Sequence, residues 1–131
     1  LVFCLQLTLA NTNSFMVKLD DEEILNSHTS LIADTATVSK GKWQQADTLH
    51  LSIFICGGVA AQGAHITIDD QNQRSLIKRF FKNDQTGFRV SIPIKSISIR
   101  TAKFLTLAIV PFQSKSDINH YMYRMGTIEL I

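Results

Sequence analysis

The chain has 131 residues, 45% of them apolar and 18% charged, with a formal net charge of +2. That length suits one domain with a core able to stand without metal or disulfide staples. The composition excludes a disordered chain, two prolines and six glycines exclude collagenous and linker-dominated designs, and no run of about eighteen apolar residues offers a membrane-spanning helix.

The first ten residues, Leu1-Val-Phe-Cys-Leu-Gln-Leu-Thr-Leu-Ala10, are uncharged and mostly apolar, and polar Asn11-Thr-Asn-Ser14 follows at once. Two readings of residues 1–10 stand open. An apolar stretch closing on Thr8-Leu9-Ala10 reads as the remnant of a secretory signal peptide, and the absent initiator methionine points to residues upstream of Leu1. Leu1, Phe3, Leu5, Leu7 and Leu9 also alternate as a half-buried first strand does. A lipoprotein box at Cys4 fits poorly, because bulky Phe3 stands where a small residue is expected. The domain assignment is therefore a signal remnant (or first strand) over 1–10 and one domain over 11–131. Cys4 and Cys56 are the two cysteines. Kept together in an oxidising compartment they can close a loop worth roughly 3–4 kcal/mol; with Cys4 cleaved, Cys56 is a small hydrophobe on an apolar strand.

Ser14–Leu19 reads as a short strand, and Asp20-Asp-Glu-Glu23 as an acidic turn or the opening of one helical turn ending near Ser27. Residues Thr29 to Val38, rich in threonine, alanine and β-branched types, read as a strand, and Lys40-Gly-Lys42 as a turn. Thr48 to Ile55 alternates most cleanly, with Leu49, Leu51, Ile53 and Ile55 on one face and His50, Ser52 and Phe54 on the other. Gly57-Gly58 ends it. Ala64–Ile68 starts another strand with Ala64, Ile66 and Ile68 inward, and Asp69–Gln73 is a hairpin loop of residues that bond their own backbone. Strands over Ser75–Lys82, Phe88–Ile94, Phe104–Val110 and Tyr121–Leu130 complete the set, parted by polar loops at 82–87 and 113–119. No stretch of ten or more residues carries a helical stripe. Seven to nine short strands between polar turns mark an all-β sandwich or small barrel, and the expectation is a two-layer antiparallel sandwich.

Two segments carry a family resemblance. Gly58-Val-Ala-Ala-Gln-Gly63-Ala64-His-Ile66-Thr-Ile68-Asp69, then Asn83-Asp84-Gln-Thr-Gly87-Phe88-Arg-Val90-Ser-Ile92-Pro93, resemble the prealbumin-like (carboxypeptidase-regulatory-like) sandwich domains, in which a Gly-Ala pair opens one strand and an Asp-x-x-Gly-Phe turn leads into another. The match covers about a third of the chain, and the N-terminal fifty or so residues have no counterpart in it. It implies an immunoglobulin-like, non-catalytic binding, adhesion or accessory module, and it carries over no functional residue.

The residues that bear chemistry are dispersed. His50 and His65 sit on outward strand faces, and His28 and His120 in or near loops, so nothing gathers three imidazoles. His120-Tyr-Met122-Tyr-Arg-Met125 is the one soft-ligand cluster, and thioethers with imidazole suit Cu(I). Its spacing is awkward, because Met125 leaves the face shared by His120 and Met122 unless a bulge intervenes. Nucleophile elbows, phosphate loops, dinucleotide fingerprints, zinc-protease helices and calcium loops are absent from the sequence, and adjacent carboxylates diverge rather than pair. No catalytic residue, metal or cofactor is expected.

Charge is the sharpest feature. Residues 1–70 carry Lys18, Lys40 and Lys42 against eight acids, whereas residues 74–103 carry Arg74, Lys78, Arg79, Lys82, Arg89, Lys95, Arg100 and Lys103 against Asp84 alone. Cations clustered on one sheet face concentrate anions; packing beside the acidic half would neutralise them instead. The candidate site is Lys78, Lys82, Arg89, Lys95, Arg100 and Lys103, with Arg79 pointing away from Lys78 and Lys82 by strand alternation. Phe80, Phe81 and Phe88 interleave with the cations, yet strand aromatics serve cores more often than base stacking, so nucleic acid is not the expected partner. The expectation is a secreted, periplasmic or cell-surface accessory module binding a protein or an anionic polysaccharide. The alternatives are a copper carrier and a structural subunit that pairs through a strand edge.

Overall fold

Period-2 alternation puts one face of each segment in a core and leaves the other wet, and two such sheets must close on each other. A computed structural model describes residues 14–27, 35–54, 64–81, 87–111 and 123–131. Nine strands lie among them: β1 (Ser14–Leu19), β2 (Glu22–Ser27), β3 (Thr35–Val38), β4 (Thr48–Phe54), β5 (Ala64–Asp69), β6 (Ser75–Phe81), β7 (Gly87–Pro93), β8 (Phe104–Pro111) and β9 (Tyr123–Leu130). A six-residue helix α1 (Lys40–Gln45) joins β3 to β4. The order is β2-β1-β4-β7 in one sheet and β3-β9-β8-β5-β6 in the other. The expected all-β sandwich is what forms. Its one departure from antiparallel pairing is β3, which runs parallel to β9.

Phe15, Val17 and Leu19 of β1, Leu49, Leu51 and Ile53 of β4, and Ile92 of β7 face Ala64, Ile66 and Ile68 of β5 and Leu105, Leu107 and Ile109 of β8. All are buried, and each large side chain is worth roughly 1.5–3 kcal/mol of transfer free energy. Ile55 of the expected inward row lies outside the described residues. One end of the sandwich is closed by Trp43 of α1 and by Ile94, Ile97, Ile99 and Ala102 of the crossover from β7 to β8.

Two local expectations need correction. Glu22 and Glu23 do not open a helical turn; they begin β2. Asp20 takes φ 54°, and its Oδ1 accepts the backbone N–H groups of Asp47 and Thr48, each at 3.0 Å. That acceptor tethers a tight β1–β2 hairpin to the start of β4. A register shift at Val17/Lys18 buries Leu25 while Ile24 lies half-buried beside the core, so the segment loses the alternation that would have marked it. The Lys40-Gly-Lys42 turn is instead the first half of α1, capped by the Ser39 hydroxyl, which accepts the Lys42 N–H at 3.1 Å. The strand expected over 29–38 is present at Thr35–Val38, and residues 29–34 lie outside the described residues. Residues 1–10, with the signal-remnant reading and Cys4, lie outside the described residues, as does Cys56.

The layer order fixes two flanks. β2 packs against β3 and β9 on one side. On the other, Arg79 of β6 donates from Nη1 to the Ser91 carbonyl of β7 at 3.2 Å, which joins the outermost strands of the two sheets.

Candidate functional site

Among the described residues β6 is the outermost strand of its sheet and pairs with β5 alone. Lys78 lies opposite Thr67 and Phe80 opposite His65, so both project from the outer face, where the Phe80 and His65 rings meet edge-on at 5.1 Å. Arg79 lies opposite buried Ile66. A guanidinium cannot enter that core unpaired, so the side chain extends across the open margin to the Ser91 carbonyl.

β7, the next strand, belongs to the facing sheet. Arg89 lies opposite Ser52 and projects from that sheet's outer face. There it borders a depression of about 590 Å³ whose lining includes Lys18, His50 and Ser91 and also the carboxylates Asp20 and Asp21 of the β1–β2 hairpin. His50 Nδ1 and Ser91 Oγ are 2.9 Å apart. A hydroxyl–imidazole contact becomes a nucleophilic site only when a third group orients the base and donors await an oxyanion. Across the other side of His50 stands Lys18, which supplies neither. The pair is a polar cross-strand contact.

Lys95 lies in the 3-10 turn Ile94–Ser96 after β7. Arg100, at φ 29°, and Lys103 follow on the crossover. That crossover is tied to the β5–β6 hairpin through Gln71, whose Oε1 accepts the Lys103 N–H at 2.9 Å and whose Nε2 donates to the Thr101 carbonyl at 3.5 Å. Lys78, Arg79, Arg89, Lys95, Arg100 and Lys103 are all exposed. They wrap the β6/β7 flank and the adjoining end of the sandwich rather than tiling one sheet face, because the chain changes sheets between β6 and β7. Lys82 lies outside the described residues.

Neutralisation by the acidic half is limited. Among the described residues the ion pairs are Lys42–Glu22 and Arg74–Asp70, so of the described cations of the basic run Arg74 alone is paired. Asp70 is buried and accepts the N–H groups of Asn72 and Arg74, each at 2.9 Å, together with Arg74 Nε–H at 3.2 Å. Sequence reasoning placed Asp70 in a hairpin loop but missed this partner; the readable signal was an Asp four residues before an Arg.

Among the described residues no three His, Cys, Asp or Glu side chains come together as metal ligands would. Of the soft-ligand cluster, His120 and Met122 lie outside the described residues. Met125 is fully buried at the register shift between β8 and β9, where it fills the core. No described helix is long and apolar enough to cross a membrane. Neither a family model, a curated protein nor a solved structure matches this chain.

Proposed function

We propose that the chain is a non-catalytic, exported binding module that holds an anionic partner, an acidic polysaccharide or an acidic protein segment, along its β6/β7 flank. The observation that carries this reading is the set of six exposed cations, Lys78, Arg79, Arg89, Lys95, Arg100 and Lys103, none ion-paired among the described residues. Exposed cations without ion pairs raise the local concentration of polyanions and are screened by salt. The strand order β9-β8-β5 facing β4-β7 supports the immunoglobulin-like part of the reading. Buried Ala64 at the head of β5 fits the Gly-Ala start of the prealbumin-like pattern. Export rests on the apolar run 1–10. Mass spectrometry of the protein from its native cells should find Asn11 as the first residue; an N-terminus that retains Leu1 would sink the cleavage.

The direct test uses immobilised heparin as the anionic probe. Binding should weaken steeply as salt shortens the reach of charge from about 10 Å at 0.1 M to about 3 Å at 1 M. Reversing Lys78 and Arg89 together should shift elution to lower salt with the thermal midpoint nearly unchanged. Co-elution of that variant with the wild type would overturn the assignment of the flank.

A further inference from the structure

The two flanks differ in charge as well as position, and that difference names a partner. Among the described residues β2 and β6 are each the outermost strand of a sheet, and each pairs with one neighbour, β1 and β5 respectively. An outermost strand presents main-chain N–H and C=O groups to whatever extended segment comes alongside. β2 has six residues and β6 seven, so their lengths match. The β1–β2 hairpin carries Asp20, Asp21, Glu22 and Glu23. Asp20 is occupied by the N–H groups of Asp47 and Thr48 and Glu22 by Lys42. Asp21 of the turn and Glu23 of β2 are exposed with no ion pair among the described residues, although Glu23 lies opposite Lys18 in register and Asp21 lines the depression that Lys18 and Arg89 also border. On β6, Lys78 and Arg79 are exposed and have no ion pair among the described residues, and Phe80 is 49% exposed beside them.

We propose that β6 of one molecule pairs edge to edge with β2 of a second copy of this chain, so that copies join head to tail. This rests on the basic-flank reading and names one partner for it. The other outer strands fit less well. β7 ends in Pro93, which has no N–H to give, and its Ser91 carbonyl is already taken by Arg79. β3 is four residues long. Like-with-like pairing is opposed: two β6 edges set Lys78 and Arg79 against their own copies, and two β2 edges oppose carboxylates. The flanks face opposite ways, so one partner cannot satisfy both, and the assembly extends as an open chain or closes as a larger ring.

Sedimentation velocity on the whole chain tests this. A larger species should appear with rising concentration at low salt and recede at high salt. K78E/R79E and D21K/E23K should each run as monomers, and their equimolar mixture should reassociate, because each then offers the flank the other lacks. Thermal midpoints check that both variants fold; if R79E unfolds the chain, K78E alone should still shift the equilibrium toward monomer. A wild type that stays monomeric throughout, a larger species that survives in both variants, or a mixture that stays monomeric would overturn the pairing. D21K/E23K leaves the basic flank whole, so it should lose self-association yet keep heparin binding. A monomeric wild type that still binds heparin refutes the pairing and leaves the binding reading standing.

Discussion

Asp70 shows how one carboxylate organises a turn. The Arg74 backbone N–H, foremost, holds its carboxyl below the ordinary value of 3.8; burial opposes this, and the Asn72 N–H and the Arg74 guanidinium add to it. A carboxylate whose folded pKa is depressed stabilises the fold above its unfolded pKa, and that contribution disappears as pH falls through the folded one. D70N should therefore melt below the wild type at neutral pH, and the gap between their midpoints should narrow as pH drops past 3.8. A gap constant with pH would refute the carboxylate's role. In the core, fully buried Leu51 should cost about 2–5 kcal/mol on truncation to alanine, read by urea denaturation. Both positions were legible in the sequence as a turn residue and an inward residue. That Arg74 answers Asp70, and so leaves the basic set, was not, because the partner depends on how the turn closes.

Among the elements, those with unbroken alternation, β4 and β5, were readable because period 2 maps directly onto a buried and an exposed face. β2 was hidden by its register shift, which sets apolar Ile24 and Leu25 side by side. α1 was hidden by its length, since six residues with one buried side chain show no stripe. Its one signal was Ser39 as a capping residue. S39A should cost about 0.5–2 kcal/mol by chemical denaturation, in keeping with the loss of a cap. An unchanged midpoint would mean that packing of Trp43 alone holds the helix. At the β1–β2 hairpin, D20N should be milder than D20A. Asparagine keeps an acceptor for the Asp47 and Thr48 N–H groups and tolerates positive φ, whereas alanine does neither and should lose about 1–3 kcal/mol.

For the molecule as a whole, the charge split along the chain was plain, but its wrapping of a flank was not. Alternation reports which face of a strand is wet and says nothing of which sheet receives it, and β6 and β7 go to different sheets. The same limit hid the opposition of β2 to β6. Closure is strongly non-local: Thr37 of β3 meets Glu129 of β9 across 92 positions of sequence, their side chains 3.5 Å apart. Closing so long a loop before contacts reward it makes folding slow. Stopped-flow refolding should fall in the range of roughly milliseconds to seconds typical of such sandwiches; microsecond relaxation would contradict a rate set by this pairing.

Trp43 is the chain's one tryptophan, it is 1% exposed at the closed end of the sandwich, and its Nε1 has no hydrogen-bond partner among the described residues. An indole so placed makes the protein its own optical gauge. Its emission reports water reaching the junction of α1, the β7–β8 crossover and the core, without any label on either flank. Polyanion binding or edge pairing at β6 should leave that light unchanged, while opening of this end should redden it and admit soluble quenchers, so docking and unravelling can be told apart in one cuvette.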